Sequence, residues 1–248
     1  MKTTLLICLV MLVGFVSCSK DEDPAKTNVT VIFKSSDTTT GTKSALVGDT
    51  LEISSLMINI REIEFEFDDD QFEDEEVEDS SISEIELQGP FVIDLVADGV
   101  LLQEKLGSYN LPNAAYEEIE FELSRETLVG NDHPMYGRSM FIAGTVDGYP
   151  FEIWHTANTE VEIEFPDSTS FVLSGDNFKL FIDMHVDMIV EGIKQLNLNG
   201  EFDGNKNGII EIGPDDEDGN NSLANEIRDI LKDSFDLDDD DDNENDDD

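Results

Sequence analysis

Asp203, Asn205 and Asn207 stand two residues apart and run into Gly208, Ile209 and Glu211, inside DGNKNGIIEIGP at 203–214. Three side-chain oxygens at alternate positions, a glycine for the sharp turn at the sixth, a backbone carbonyl at the seventh and an acid at the ninth suit a hard cation, calcium above all. Position twelve of a complete loop carries a bidentate acid, but here it is Pro214, and Asp215 follows one residue late. The predicted ligands are therefore Asp203, Asn205, Asn207, the Ile209 carbonyl, Glu211 and Asp215. Two asparagines in place of carboxylates lower the ligand charge and place the affinity in the weak extracellular range, about 10⁻⁴–10⁻³ M. An ion held that way is a permanent clamp, not a switch.

A second constellation joins His155 to FIDMHVDM at 181–188. Asp183, His185 and Asp187 share one strand parity, so His155 arriving from another strand would make a transition-metal or hydrolytic site. A metal-dependent hydrolase using His155, His185 and Asp183 is thus the rival to a protein without catalytic activity. No Gly-x-Ser-x-Gly elbow, phosphate loop or His-Glu-x-x-His is present. Trp154, the one tryptophan, is the candidate platform for stacking a sugar.

Charge narrows the partners. Asp and Glu number 59 against 14 Lys and Arg, a formal charge of −45. Such a surface repels nucleic acid and anionic membranes, and divalent cations are its natural counterions. Much of the charge sits in DDDQFEDEEVEDS at 68–80 and DLDDDDDNENDDD at 236–248, and runs of this kind are solvated.

Lys2, an apolar run from Leu5 to Val16, and a small residue before Cys18 have the layout of a secretory leader too short to span a bilayer. Phe15-Val16-Ser17-Cys18 resembles a bacterial lipobox, which implies cleavage before Cys18 and lipid on its thiol. Ser19-Lys20-Asp21-Glu22-Asp23 resembles the tag that sends Bacteroidota lipoproteins to the outer face of the outer membrane. Cys8 leaves with the leader, so no disulfide framework is possible.

Period-two alternation dominates the remainder and predicts strands with one buried face: 29–33, 51–67, 82–87, 91–96, 116–123, 140–146, 151–155, 161–165, 171–173 and 179–190. A bulge near Arg61-Glu62 reconciles the two parities of the second strand, and Asp147-Gly148 makes a hairpin turn. Many short strands predict a mainly β protein, an antiparallel β-sandwich of immunoglobulin-like or similar form. The outward positions are repeatedly glutamate: Glu62, Glu64, Glu66; Glu84, Glu86; Glu118, Glu120, Glu122; Glu160, Glu162, Glu164. Like charges opposite one another destabilise a sheet, so these strands are expected either to avoid that register or to recruit cations. After residue 200, NSLANEIRDILKDSF predicts a helix with Leu223, Ile227, Ile230 and Leu231 on one face and Asn221 or Ser222 as its cap.

FVIDLVADGVLLQEKLGSYNLPNAAYEEIEFEL resembles the heart of an uncharacterised group of bacterial lipoproteins, in which an Asp-Leu strand and a leucine-rich stretch lead to a Leu-Pro turn and a Tyr-x-x-Ile strand. Here these are Asp94-Leu95, Leu111-Pro112 and Tyr116 to Ile119. The resemblance implies a β-sandwich and no chemistry. The expected organisation is a leader at 1–17, a lipidated tether at 18–28, a β-sandwich at 29–200, a calcium loop and helix at 201–235, and an acidic tail at 236–248. Function is expected to be that of an outer-membrane, cell-surface binding, adhesion or envelope-structural module with calcium. An accessory subunit for glycan capture or fimbrial anchoring is a further alternative.

Overall fold

A computed structural model describes residues 25–37, 51–67, 84–164, 171–173, 175 and 177–238. The expected leader at 1–17, Cys18, the acidic run at 68–80 and the residues from 239 onward lie outside the described residues. The protein is mainly β, with two sheets and two helices. Strands β1 (Lys26–Ser36), β2 (Leu51–Phe67), β3 (Glu84–Ala97), β4 (Val100–Leu101), β5 (Gln103–Pro112) and β6 (Ala115–Leu123) come first. They are followed by β7 (Met140–Val146), β8 (Tyr149–His155), β9 (Thr159–Glu164), β10 (Phe171–Val172) and β11 (Asn177–His185). Helix α1 (Val186–Gln195), β12 (Ile210–Ile212), helix α2 (Asn221–Lys232) and β13 (Phe235–Asp238) complete the order.

One sheet runs β13-β11-β1-β5; the other has the path β10-β6-β2-β7-β8-β12, with β3 beside β2, β4 beside β3 and β9 beside β6. The two share one apolar core, and Phe33 of the first sheet meets Phe121 of the second edge to face with ring centroids 5.4 Å apart. Phe235 packs edge-on to both rings, at 6.4 and 5.0 Å. The arrangement is an open, sandwich-like pair of sheets. It is not purely antiparallel: β1 pairs parallel to β11, and β12 parallel to β8. Both parallel pairs join strands far apart in sequence, which leaves room for the crossover that parallel pairing demands.

Strand β2 organises the larger sheet. Its first half lies between β3 and β7, its second between β3 and β6, and the change of neighbour falls at a register shift between Ile60 and Glu62. That is the bulge expected at Arg61-Glu62. Asp147 (φ 50°) and Gly148 (φ 82°) turn β7 into β8 as the Asp-Gly pair predicts.

Three expectations are corrected. The strand at 179–190 ends at His185 and continues as α1, because Val186, Ile189, Val190 and Ile193 repeat at helical spacing and are all buried. Residues 103–112, outside every predicted strand, are strand β5 paired along β1. The segment at 201–235, set apart from the β-sandwich at 29–200 in the expected organisation, shares its core: Ile210 and Ile212 of β12, and Ala224, Ile227 and Leu231 of α2, belong to the common cluster. At Gly192 a β-carbon would stand 2.5 Å from Ile230 Cδ1, so glycine lets α1 and α2 approach. The ends also differ from expectation, since β1 begins at Lys26 and Asp236 to Asp238 are in β13. No described helix is long and apolar enough to cross a membrane.

Candidate cation sites

The loop at 203–218 is shaped by its own side chains. A single turn of 3-10 helix, Gly200–Phe202, leads into Asp203, and no α-helix enters the loop directly. Asp203 accepts hydrogen bonds from the Asn207 and Gly208 backbone amides, both at 3.0 Å, while Gly208 takes φ 91°, a conformation suited to glycine. Asn205 Nδ2 and Asn207 Nδ2 both donate to Glu211 Oε2, at 2.8 and 3.2 Å. Asp203, Asn205, Asn207 and Glu211 are thus gathered about one turn, as their spacing predicts.

Asp215 is engaged elsewhere: its Oδ1 accepts from Trp154 Nε1 at 3.1 Å. The carboxylate that closes the loop is Asp218, which accepts from the Asn205 amide at 3.0 Å and the Glu211 amide at 2.7 Å. Sequence spacing missed it because it lies beyond the twelve-residue frame. The Asp-x-Asp-Gly run, Asp216 to Gly219, is the signal that marks it. Asn220 then ties the loop's two flanks, its Nδ2 donating to the Phe202 carbonyl at 2.9 Å and the Glu211 carbonyl at 2.8 Å. Asp216 Oδ1 accepts from the Gly219 and Asn220 amides just ahead of α2; the residue at the cap position is Asn220, one place before the expected Asn221 or Ser222, and no side chain caps the helix by a hydrogen bond.

On the larger sheet the glutamates are in register, contrary to the expectation of avoidance. Across β3-β2-β6-β9 one row is Glu84, Glu66, Glu118 and Glu164; the next is Glu86, Glu64, Glu120 and Glu162. The third is Gln88, Glu62, Glu122 and Glu160. The reason lies in the period. Each strand carries glutamate at every second position, so any slip that keeps Ile63, Phe65, Ile119, Phe121, Val161 and Ile163 buried again sets glutamate against glutamate. Burying each such side chain contributes about 1.5–3 kcal/mol. Each opposed like-charge pair costs about 0.2–1 kcal/mol, so the inner face decides the register.

Among the described residues, one cation is ion-paired to this face. Arg61, at the bulge of β2, reaches Glu62 and also Glu122 Oε2, the latter at 2.6 Å. Its hydrogen bond holds the Glu62 carboxyl below the usual range. Burial, then neighbouring glutamates, raise Glu64 and Glu118, and push Glu120 up to about 7. Glu122 is raised by burial against the opposing pull of Arg61, and Glu86 by its hydrogen bond to Glu62.

His155, His185 and Asp183 are not brought together as a ligand set. Among the described residues, the group of three potential ligands whose atoms lie within 4.8 Å of one another is Glu62, Glu64 and Glu86. His155 is buried at the end of β8; its Nδ1 accepts from the Ala157 amide at 2.9 Å, which leaves Nε2 to donate to Asn225 Oδ1 at 3.2 Å. Burial pulls its pKa down, which favours the neutral ring. His185 Nδ1 instead faces Ser36 Oγ at 3.2 Å, and Asp183 faces Lys34 Nζ at 3.9 Å.

Trp154 is not an exposed platform. The Arg138 guanidinium covers its ring at 4.7 Å, and Gly213 lies so close that a β-carbon there would stand 2.1 Å from Cε2. Arg138 also stacks on Phe141 at 5.0 Å and, with His133, Tyr136 and Glu152, lines a shallow pocket of about 330 Å³. No protein-family model matches the chain, and no curated protein or solved structure is significantly similar to it.

Proposed function

We propose that this chain is a non-enzymatic cell-surface module, held to the outer membrane by lipid on Cys18, whose loop at 203–218 carries a structural calcium ion. The carrying observation is the convergence of Asp203, Asn205, Asn207 and Glu211 on one turn, with Asp218 closing it. All five offer oxygen, the ligand calcium takes, and the turn is tied to the core through Asn220 and β12. An ion there clamps the end of the larger sheet to α2. The leader and the residues around Cys18 supply the anchor, and the excess of acid favours divalent cations over nucleic acid as partners. The macromolecule or glycan met at the surface is a matter for the exposed faces, not for this loop.

Calcium titration of the mature chain, followed by calorimetry and thermal melting, tests the loop. A saturable rise in Tm that Asp203→Ala removes is expected; a melting curve indifferent to millimolar calcium would overturn the assignment. Labelling with palmitate in cells tests the anchor, and incorporation that survives Cys18→Ser would overturn that part alone.

A further inference from the structure

Between β6 and β7 the chain runs through residues 124–139 without helix or strand, yet this connection is held in place. Glu126 is buried, and its Oε1 accepts from the Leu128 and Val129 amides. Its backbone amide donates to the Arg138 carbonyl and its carbonyl accepts from the Gly137 amide, at 2.9 and 2.6 Å, which closes the loop on itself. Met135 is fully buried beside Phe141 and Trp154. Loops beyond about 12–15 residues that keep one conformation are uncommon and usually functional.

The loop presents Arg138. Its guanidinium lies over the Phe141 and Trp154 rings, and one nitrogen, Nη1, donates to the Pro134 carbonyl at 3.1 Å. These contacts fix the plane of the group and engage one of its five N–H donors. Among the described residues no carboxylate is ion-paired to it, although acids outnumber bases 59 to 14 in the sequence. Glu152, Asp215 and Glu211 act on it through space alone, while burial pulls its pKa down. A half-buried guanidinium, stacked and with its fork unused, is organised for an oxyanion from outside the chain.

The pocket beside it narrows the ligand. Carboxylate and phosphate both match the guanidinium fork. Asp132 and Glu152 also line the pocket, so a phosphate dianion is repelled about twice as strongly as a single carboxylate. Those two acids are acceptors for hydroxyl groups, and Asn131 and His133 are donors. His133 Nδ1 accepts from the Met135 amide at 3.2 Å, which leaves Nε2 to donate. Tyr136 is exposed at the rim, free to take the apolar face of a ring. At about 330 Å³ the pocket stands at the low end of small-molecule sites, about 300–1,000 Å³, which suits one sugar ring.

We propose that this pocket binds a hexuronic acid: its carboxylate on the Arg138 fork, its hydroxyls on Asn131, Asp132, His133 and Glu152, and its ring on Tyr136. The site is built from the loop at 124–139 with β7 and β8, and it needs neither the calcium loop nor the lipid anchor.

The test titrates the mature chain with glucuronate and galacturonate, calcium chelated, and follows calorimetry and the emission of Trp154, the one tryptophan, which Arg138 covers. Chelation excludes a uronate held through an ion at 203–218, so failure of the loop assignment leaves this result untouched. Saturable binding of at least one uronate is expected, about tenfold tighter than that of glucose, which lacks the carboxylate, or of acetate, which lacks the ring. Tenfold is the worth of one hydrogen bond to a charged group. Arg138→Lys keeps the charge without the fork and should weaken uronate binding about tenfold. Tyr136→Ala, an exposed change, should weaken uronate binding and leave acetate unaffected. Melting of each variant verifies its fold. Saturation by neither uronate, or equal binding of glucose or acetate, would overturn the proposal. So would uronate binding that either folded variant leaves unchanged.

Discussion

Replacing Glu120 by glutamine should stabilise the protein at pH 8 in low salt with calcium chelated. Glu120 stands between Glu64 and Glu162 across the sheet and between Glu118 and Glu122 along β6. Removing two directly opposed like-charge pairs, at about 0.2–1 kcal/mol each, relieves about 1 kcal/mol. Acidity leads to the same scale by another route. The carboxyl moves from 4.5 to about 7, and at about 1.4 kcal/mol per pH unit this sets an unscreened ceiling of about 3.5 kcal/mol. Solvent screening on this partly exposed face reduces that to about 1 kcal/mol. For a domain of this size the corresponding gain in Tm is about 2–4 °C. The sign depends on pH. A carboxyl raised in the folded state keeps its proton while the unfolded chain loses it, so its ionisation costs no stability below about 4.5 and the cost is complete above about 7. Glutamine has no proton to lose, so its advantage should be present at pH 8 and absent at pH 4.5. Thermal melting of both proteins at the two pH values is the assay. Equal Tm at pH 8, or an advantage that persists at pH 4.5, would refute the reasoning.

Trp154 should report on the loop: its indole donates to Asp215 and packs on Gly213, so calcium should change its emission, and Asp203→Ala should abolish the change. An emission spectrum unaffected by saturating calcium would contradict the coupling. Gly213→Ala forces a β-carbon into the indole and should cost about 1–3 kcal/mol in urea unfolding, whereas an unchanged midpoint would mean that the indole yields freely. Leu231→Ala should cost about 2–5 kcal/mol, because Leu231 is fully buried in the common core. A cost below about 0.5 kcal/mol, normal for a surface site, would instead make α2 peripheral.

Alternation made most of the larger sheet legible, down to the bulge at Arg61-Glu62, since a buried face leaves a period-two trace in any strand. It failed where two periods overlap. FIDMH alternates into the first turn of α1, and the repeat Val186, Ile189, Val190, Ile193 appears only when a helical period is tried on the same residues. Strand β5 was hidden for a different reason: its residues are mostly partly buried or exposed, so polar and apolar side chains do not separate cleanly. In the loop, the gathering of Asp203, Asn205, Asn207 and Glu211 about one turn was legible from their spacing, whereas the hydrogen bonds of Asp218 needed the chain to return through Asp216 to Gly219. The glutamate rows were visible strand by strand. Their register was deducible too, once it is seen that even-numbered slips relieve nothing; what no single strand shows is the order β3-β2-β6-β9 that makes them one face.

The parallel pairing of β1 with β11 has a mechanical consequence. Because β13 runs antiparallel to β11, it advances toward the same end of the sheet at which β1 begins. A load applied between Lys26 and Asp238 therefore pulls on two strands from one end, with β11 between them. Hydrogen bonds under that load open one after another, as in a peeling strip, and do not share the force along the strand length. A protein tethered at one end and tugged at the other would yield first in the β1-β11-β13 ribbon, while β3-β2-β6-β9 lies outside the line of force.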